Sequence, residues 1–398
     1  MKVLVVSHLY PSPARAGSLF VHDQVLALRE LGVEVSVVSP TPYTPRPLRV
    51  NDRLRARGAT PATAVIDGVA VEYPRVVMPP RRLLAHRQGD LIYRGLRTLL
   101  PSLRRDGPDL IHAHQAFPDG ASARLLAADL GVAYVVTVHG ADVNANLARQ
   151  GPVRHRTRRA LDGAAAVMAV SSAVSRRLGD VVAGERLHTV PNGVTVHAQV
   201  TPSELLPGRP LVLSVGNLYA SKGHATVLAA LARLGTRRRD IAYVVVGDGP
   251  ERRRLKAQAR ALGLTEQVVF LGWRPHDDVL RLMARADTFV LPSAPEGFGL
   301  VWAEAMAQGT PVVACRGEGP EDFVTDGVSG LLVPPGDADA VAAAIARLLD
   351  DHAFAARLTR AGRTAVAALT WQRNAERQLE IYERVLAAGP AASPEERR

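Results

Sequence analysis

The stretch Phe289–Cys315, FVLPSAPEGFGLVWAEAMAQGTPVVAC, decides how the chain is read. Its apolar start, Phe289–Leu291, followed by a Pro/Gly-rich turn, predicts a short buried strand. A helix follows from near Phe298, with Gly309 at the C-terminal cap position and Pro311 opening a second strand that runs to Cys315. Strand, turn, helix and strand together make one unit of a parallel sheet. Gly297 and Gly299 allow backbone to approach a ligand, and the free amides of Phe298, Gly299 and Leu300 at the helix start form an anion site. Glu296 stands at the mouth of that site. Glu304 lies roughly 6 Å further along the helix axis, at about 1.5 Å per residue. Amides for phosphate and carboxylates for hydroxyls suit a diphosphate joined to polyhydroxyl rings. The plainer alternative is a surface glutamate and a helix-face glutamate in an ordinary α/β unit.

Working outward, strand-like runs alternate with helical ones along all 398 residues, enough chain for two cores. Residues 1–195 and 211–370 read as two α/β domains of similar style, joined by a Pro-containing linker at 196–210. A helix at 371–388 is suited to cross back onto the first domain, and 389–398 reads as an unstructured tail. Pro42–Thr63 reads as a loop or poorly ordered excursion. With 47% apolar and 22% charged residues the composition is that of a soluble globular protein. No apolar run reaches the 18 or so residues of a membrane span, and the first apolar run reads as a strand rather than a signal peptide. The single cysteine, Cys315, fits a reducing, cytoplasmic setting and reads as a small core residue. The net charge of +11 resides almost wholly in residues 1–200, with 25 Lys+Arg against 15 Asp+Glu. Such an excess suits an anionic membrane, a nucleic acid or a phosphorylated substrate. In Pro74–Arg105, arginines threaded among leucines make a basic amphipathic stretch for a membrane surface, or a helix packed on the sheet with a solvated basic face. The basic runs lack interleaved aromatics, so no nucleic-acid partner is expected.

Individual residues then stand out. Gly17, in the turn after the first strand, frees amides at the carboxyl edge of the sheet, where open α/β folds bind ligands. His112 and His114 share a strand face, but no third ligand of suitable spacing follows, so no metal is expected. His139 closes a parallel strand, placed to polarise a donor hydroxyl or orient an acceptor, or else to serve as a hydrogen-bonded structural histidine. Lys222, beside Gly223 in a strand-to-helix loop, is suited to a pyrophosphate. Gly247 belongs to GDGPER, which lacks the third glycine of a dinucleotide fingerprint and reads as a tight turn or a donor contact. Asp337-Ala-Asp339 reads as a helix cap rather than a metal motif.

The spacing of Glu296 and Glu304 within PEGFGLVWAEAMAQGTPVVA resembles the E-x7-E signature of the GT4 family of retaining, nucleotide-sugar-dependent glycosyltransferases. The GDGP turn, PNGV at Pro191–Val194 and GEGPEDFVTDGVSGLLVPPGD follow the same family pattern. The resemblance covers nearly the whole chain and implies a GT-B fold: two Rossmann-like domains whose parallel sheets face an interdomain cleft. It implies transfer of a hexose from a nucleoside diphosphate sugar to a saccharide, lipid-linked or small-molecule acceptor, without cofactor or metal. Glu304 would hold ribose hydroxyls, Glu296 the donor sugar, Lys222 the diphosphate and His139 the neighbourhood of the reacting sugar. Trp273 and Arg274 would lie beside the base. The family's usual glycine pair is here only Gly17, and its usual arginine is Asn217, which removes one positive charge from the phosphate cradle. The start of the chain resembles GT4 members of envelope polysaccharide assembly, which points to work at the inner face of the cell membrane. A sugar phosphorylase or epimerase of related fold, or a basic membrane- or nucleic-acid-binding protein with an inactive core, are the alternatives.

Overall fold

Valine-rich strands buried on both faces need helices above and below, and a parallel sheet with crossover helices supplies them. The computed structural model describes residues 1–14, 19–48, 50–79, 84–105, 107–148, 150–195, 200–204 and 208–389. By its contacts the chain divides into two units: Met1–Gly193 together with the segment from Trp371 onward, and Val194–Thr370.

In the first unit the sheet runs, in spatial order, Leu187–Thr189, Ala166–Ala169, Ala133–Val138, Leu110–His114, Lys2–Val6, Glu34–Val38, Val69–Glu72 and Thr63–Ile66. All pairings are parallel except the edge strand Thr63–Ile66, which runs antiparallel to Val69–Glu72. The order reverses between Lys2–Val6 and Leu110–His114. The stretch Pro42–Thr63, expected as an excursion, instead holds a 3-10 turn at Arg46–Leu48 and the helix Asp52–Ala59, capped by the Asn51 side chain on the Leu54 amide. Its charge density hid a short polar helix that a local cap stabilises. In the basic stretch, the helix Gln88–Leu96 buries Ile92 and Leu96, so its apolar face packs inward.

The helix Trp371–Ala387 packs on Leu19–Glu30 and places Ala375, Ile381, Tyr382 and Val385 in the same core as Val21, Val25 and Leu28. Asn374 locks it. Its side-chain oxygen accepts from Gln24 and Gln378, and its Nδ2 donates to the Pro191 carbonyl at 2.7 Å.

In the second unit six parallel strands run Val268–Gly272, Ala242–Val246, Leu211–Val215, Thr288–Val290, Val312–Cys315 and Leu331–Val333. Here the order reverses between Leu211–Val215 and Thr288–Val290, the topological switch point at which open α/β sheets bind ligands. Asp337 accepts from the Asp339 and Ala340 amides at the start of the helix Ala338–Asp350, so this motif is a cap as expected. Cys315 is fully buried at the end of its strand.

Replacing Asn374 by Ala would strand two buried amide groups and a carbonyl, and should destabilise the protein by about 2–3 kcal/mol. Urea unfolding measures this; a change under about 0.5 kcal/mol, the range of a neutral surface substitution, would show that the knot does not hold the helix.

Candidate active site

The second unit's switch point is bridged by a charged contact. The loop after Leu211–Val215 carries Asn217 and Lys222, and the turn after Thr288–Val290 carries Glu296. Lys222 Nζ lies 2.6 Å from Glu296 Oε2, with the two side chains 26% and 13% exposed. Ser293 Oγ donates to the same Oε2 at 2.9 Å, and the Gly297 amide donates to Oε1 at 3.1 Å. The Glu296 amide itself donates to buried Glu318 at 2.6 Å. Lys222 reaches this pair because Gly223 takes the left-handed conformation (φ +72°) directly against the Pro292 carbonyl, where a Cβ would stand 2.2 Å from that oxygen. No other residue fits there.

The helix begins at Leu300, two residues later than the sequence suggests, because Gly299 turns left-handed (φ +96°) to enter it. The amides of Leu300 and Val301 have no acceptor among the described residues, which leaves an anion site at the helix N-terminus. Phe298 points its ring into the core against Phe323, so a ligand could meet only its backbone. Glu304 is half-buried and has no hydrogen-bond or ionic partner among the described residues. Burial pushes its carboxyl up to about 7. A carboxylate in that state costs stability unless something donates to it.

The remaining residues named from the sequence divide. Asn217, Trp273 and Arg274 are exposed, Trp273 to 72%. The Gly247 amide donates to the Gly272 carbonyl, and a Cβ there would stand 2.1 Å from the Gly216 carbonyl. Close packing of two turns thus accounts for this glycine without a ligand. Gly17 lies outside the described residues.

In the first unit, His139 is half-buried at the end of Ala133–Val138, packed on Phe20 at 4.8 Å and hydrogen-bonded to His114. Burial pulls it down to about 3, so it is neutral at physiological pH. His112 is spoken for on both nitrogens, by Thr137 and by the Tyr382 hydroxyl, each at 2.7 Å. The two strand histidines are therefore core residues, and no group of three metal-ligating side chains occurs among the described residues. Two buried carboxylates of this unit were given no role from the sequence. Asp142, fully buried beyond His139-Gly140, has its carboxyl pushed up to about 7 by burial. Asp119, also fully buried, accepts from the His8 amide and from His8 Nδ1 at 2.7 Å across the first unit's switch point. Its meeting with a residue so distant in the chain was not legible in the sequence.

A lysine–carboxylate pair at the switch point, a helix start with open amides and a carboxylate one turn inside, without a partner among the described residues, thus lie together in the second unit. Residues 18–197 match the family model for Glycosyltransferase Family 4, and residues 199–365 that for Glycosyl transferases group 1. The chain is 30% identical over 363 residues to the putative teichuronic acid biosynthesis glycosyltransferase TuaC of Bacillus subtilis, 87% of this chain and 89% of that one. It is 38% identical over 181 residues to the lipopolysaccharide core biosynthesis glycosyltransferase LpsE of Rhizobium meliloti, a match that spans 46% of this chain and about half (51%) of that relative. Among solved structures, sucrose-phosphate synthase from Thermosynechococcus elongatus superposes with a TM-score of 0.80 at 25% identity, covering 97% of this chain and 99% of that one. The chain belongs to the GT4 glycosyltransferases and has the GT-B fold.

Glu304 binds its proton more tightly folded than unfolded. Its contribution to stability is complete below the unfolded value of 4.5 and is lost as pH rises through about 7. Glu304→Gln should therefore melt a few degrees higher than the native chain at pH 8, with the gap closing towards pH 5. Scanning calorimetry across that range decides it; a variant less stable at pH 8 would mean that the native carboxylate has a partner.

Proposed function

We propose that the protein transfers a hexose from a nucleoside diphosphate sugar to an acceptor hydroxyl with retention of anomeric configuration, and without a metal. The observation that carries this reading is Glu304: a half-buried carboxylate one turn inside a helix, with neither it nor the first helix amides partnered among the described residues. Ribose hydroxyls would donate to Glu304 and a phosphate would accept from the helix amides. Lys222 has three donors and can keep Glu296 while meeting the β-phosphate, where charge develops as the bond from the anomeric carbon to the phosphate oxygen breaks.

Glu296 holds the donor sugar's hydroxyls in this reading and is not a nucleophile. Its Oε2 already accepts from an ammonium and a hydroxyl, and its Oε1 from an amide, which stabilises the carboxylate and blunts its attack. With no nucleophile, the acceptor oxygen bonds to the anomeric carbon on the face the phosphate leaves. Its proton passes to the departing phosphate oxygen.

The names of the two relatives, in teichuronic acid and lipopolysaccharide core synthesis, favour an envelope polysaccharide or glycolipid as acceptor. The basic first half suits catalysis beside an anionic membrane; no helix among the described residues is long and apolar enough to cross one.

A thermal-shift panel of UDP-, GDP-, ADP- and TDP-sugars in the presence of a metal chelator should show stabilisation by one of them. Lys222→Ala should weaken binding of that nucleotide by about tenfold or more, the worth of a charge-assisted hydrogen bond. Glu304→Gln should lower transfer by a similar factor. Unaltered nucleotide affinity in Lys222→Ala, or sugar release that needs added phosphate, would refute the proposal.

A further inference from the structure

His114 belongs to the strand Leu110–His114 and is fully buried. Its ring is tilted only 13° from that of His139, with centroids 5.2 Å apart. His114 Nδ1 stands 3.0 Å from His139 Nε2. Nearly coplanar rings meeting edge to edge at this distance make an in-plane N–H···N bond, in which one ring donates and the other accepts.

The surroundings settle the direction. His114 Nε2 is buried and has no partner among the described residues. Were His114 to donate from Nε2, an N–H would be orphaned in the interior, whereas an unused lone pair is the milder fault. The hydrogen therefore sits on His114 Nδ1 and points at His139 Nε2. His139, accepting at Nε2, must carry its own hydrogen on Nδ1. That nitrogen has no partner among the described residues and is not among their buried unsatisfied atoms, which leaves it open to solvent. Phe20 packs against the ring and hinders its rotation.

We propose that His114 is a positioning residue that fixes His139 as the Nδ1–H tautomer, so that His139 offers a sugar a hydrogen-bond donor and not a base. The proposal rests on the donor-sugar reading above only for its consequence: an N–H to hold a sugar oxygen is what a reaction needs when the leaving phosphate itself takes the acceptor's proton. The buried histidine thus assigns the role of the visible one.

The test is nitrogen-15 NMR of the full-length protein with labelled histidine. Two-bond couplings distinguish the tautomers, and His139→Gln identifies the His139 signals. The native protein should show a neutral His139 protonated on Nδ1. His114→Leu should release it towards the Nε2–H form. His114→Asn, whose amide nitrogen can replace the lost donor, should retain the native tautomer. In transfer assays kcat should fall about tenfold in His114→Leu with KM little changed, and recover in His114→Asn. An Nε2–H His139 in the native protein overturns the proposal without need of any variant. So does a tautomer indifferent to His114→Leu. Both readings are made without turnover, so failure of the donor-sugar reading is seen separately, as transfer that survives His139→Ala.

Discussion

Glu296 ties the second unit's site together. Its carboxylate takes hydrogen bonds from Lys222, Ser293 and Gly297, its amide is held by Glu318, and its carbonyl accepts from the Gly319 amide. Three turns that are distant in sequence, around residues 222, 296 and 318, are thereby fixed to one another at the carboxyl edge of the sheet. The pair with Lys222 is partly screened from water, so removing either partner would leave a charge desolvated and unmatched. The rest of the site is placed relative to this knot: the helix start at Leu300, four residues on, and the Glu304 carboxylate beyond it.

The two carboxylates of the E-x7-E spacing thus live in opposite conditions. Glu296 is saturated with donors and serves as a fixed point. Glu304 has none among the described residues, and burial raises its proton affinity. Same residue type, same helix end, different duty: the difference lies in what surrounds each side chain. The first unit repeats the theme with histidines. His112 is saturated and structural, His114 keeps one nitrogen idle, and His139 keeps one in reach of solvent.

Much of this could be read from the chain. Val-rich runs spaced by helical periods gave two parallel sheets, and the turn-helix pattern around residue 300 located the site, because short-range glycine and cap chemistry governs both. What escaped notice depends on residues far apart. The bond from His8 to Asp119 spans 111 positions, and that from Tyr382 to His112 spans 270. No periodicity encodes such meetings. At Gly247, read from the sequence as a tight turn or a donor contact, a carbonyl 2.1 Å from where a Cβ would be requires glycine by packing alone. Asp52–Ala59 was hidden by its charge, since a polar helix with one good cap has little apolar period to show.

The route of the chain carries a further consequence. It leaves the first unit near residue 193 and returns at Trp371, bringing back part of that unit's own core and the hydroxyl that satisfies His112. During synthesis the first 193 residues emerge long before those partners exist. The nascent half must wait, with a histidine nitrogen and an apolar groove uncovered, while some 177 residues of the other unit are made between the two. Chain order therefore obliges the unit translated first to be finished last.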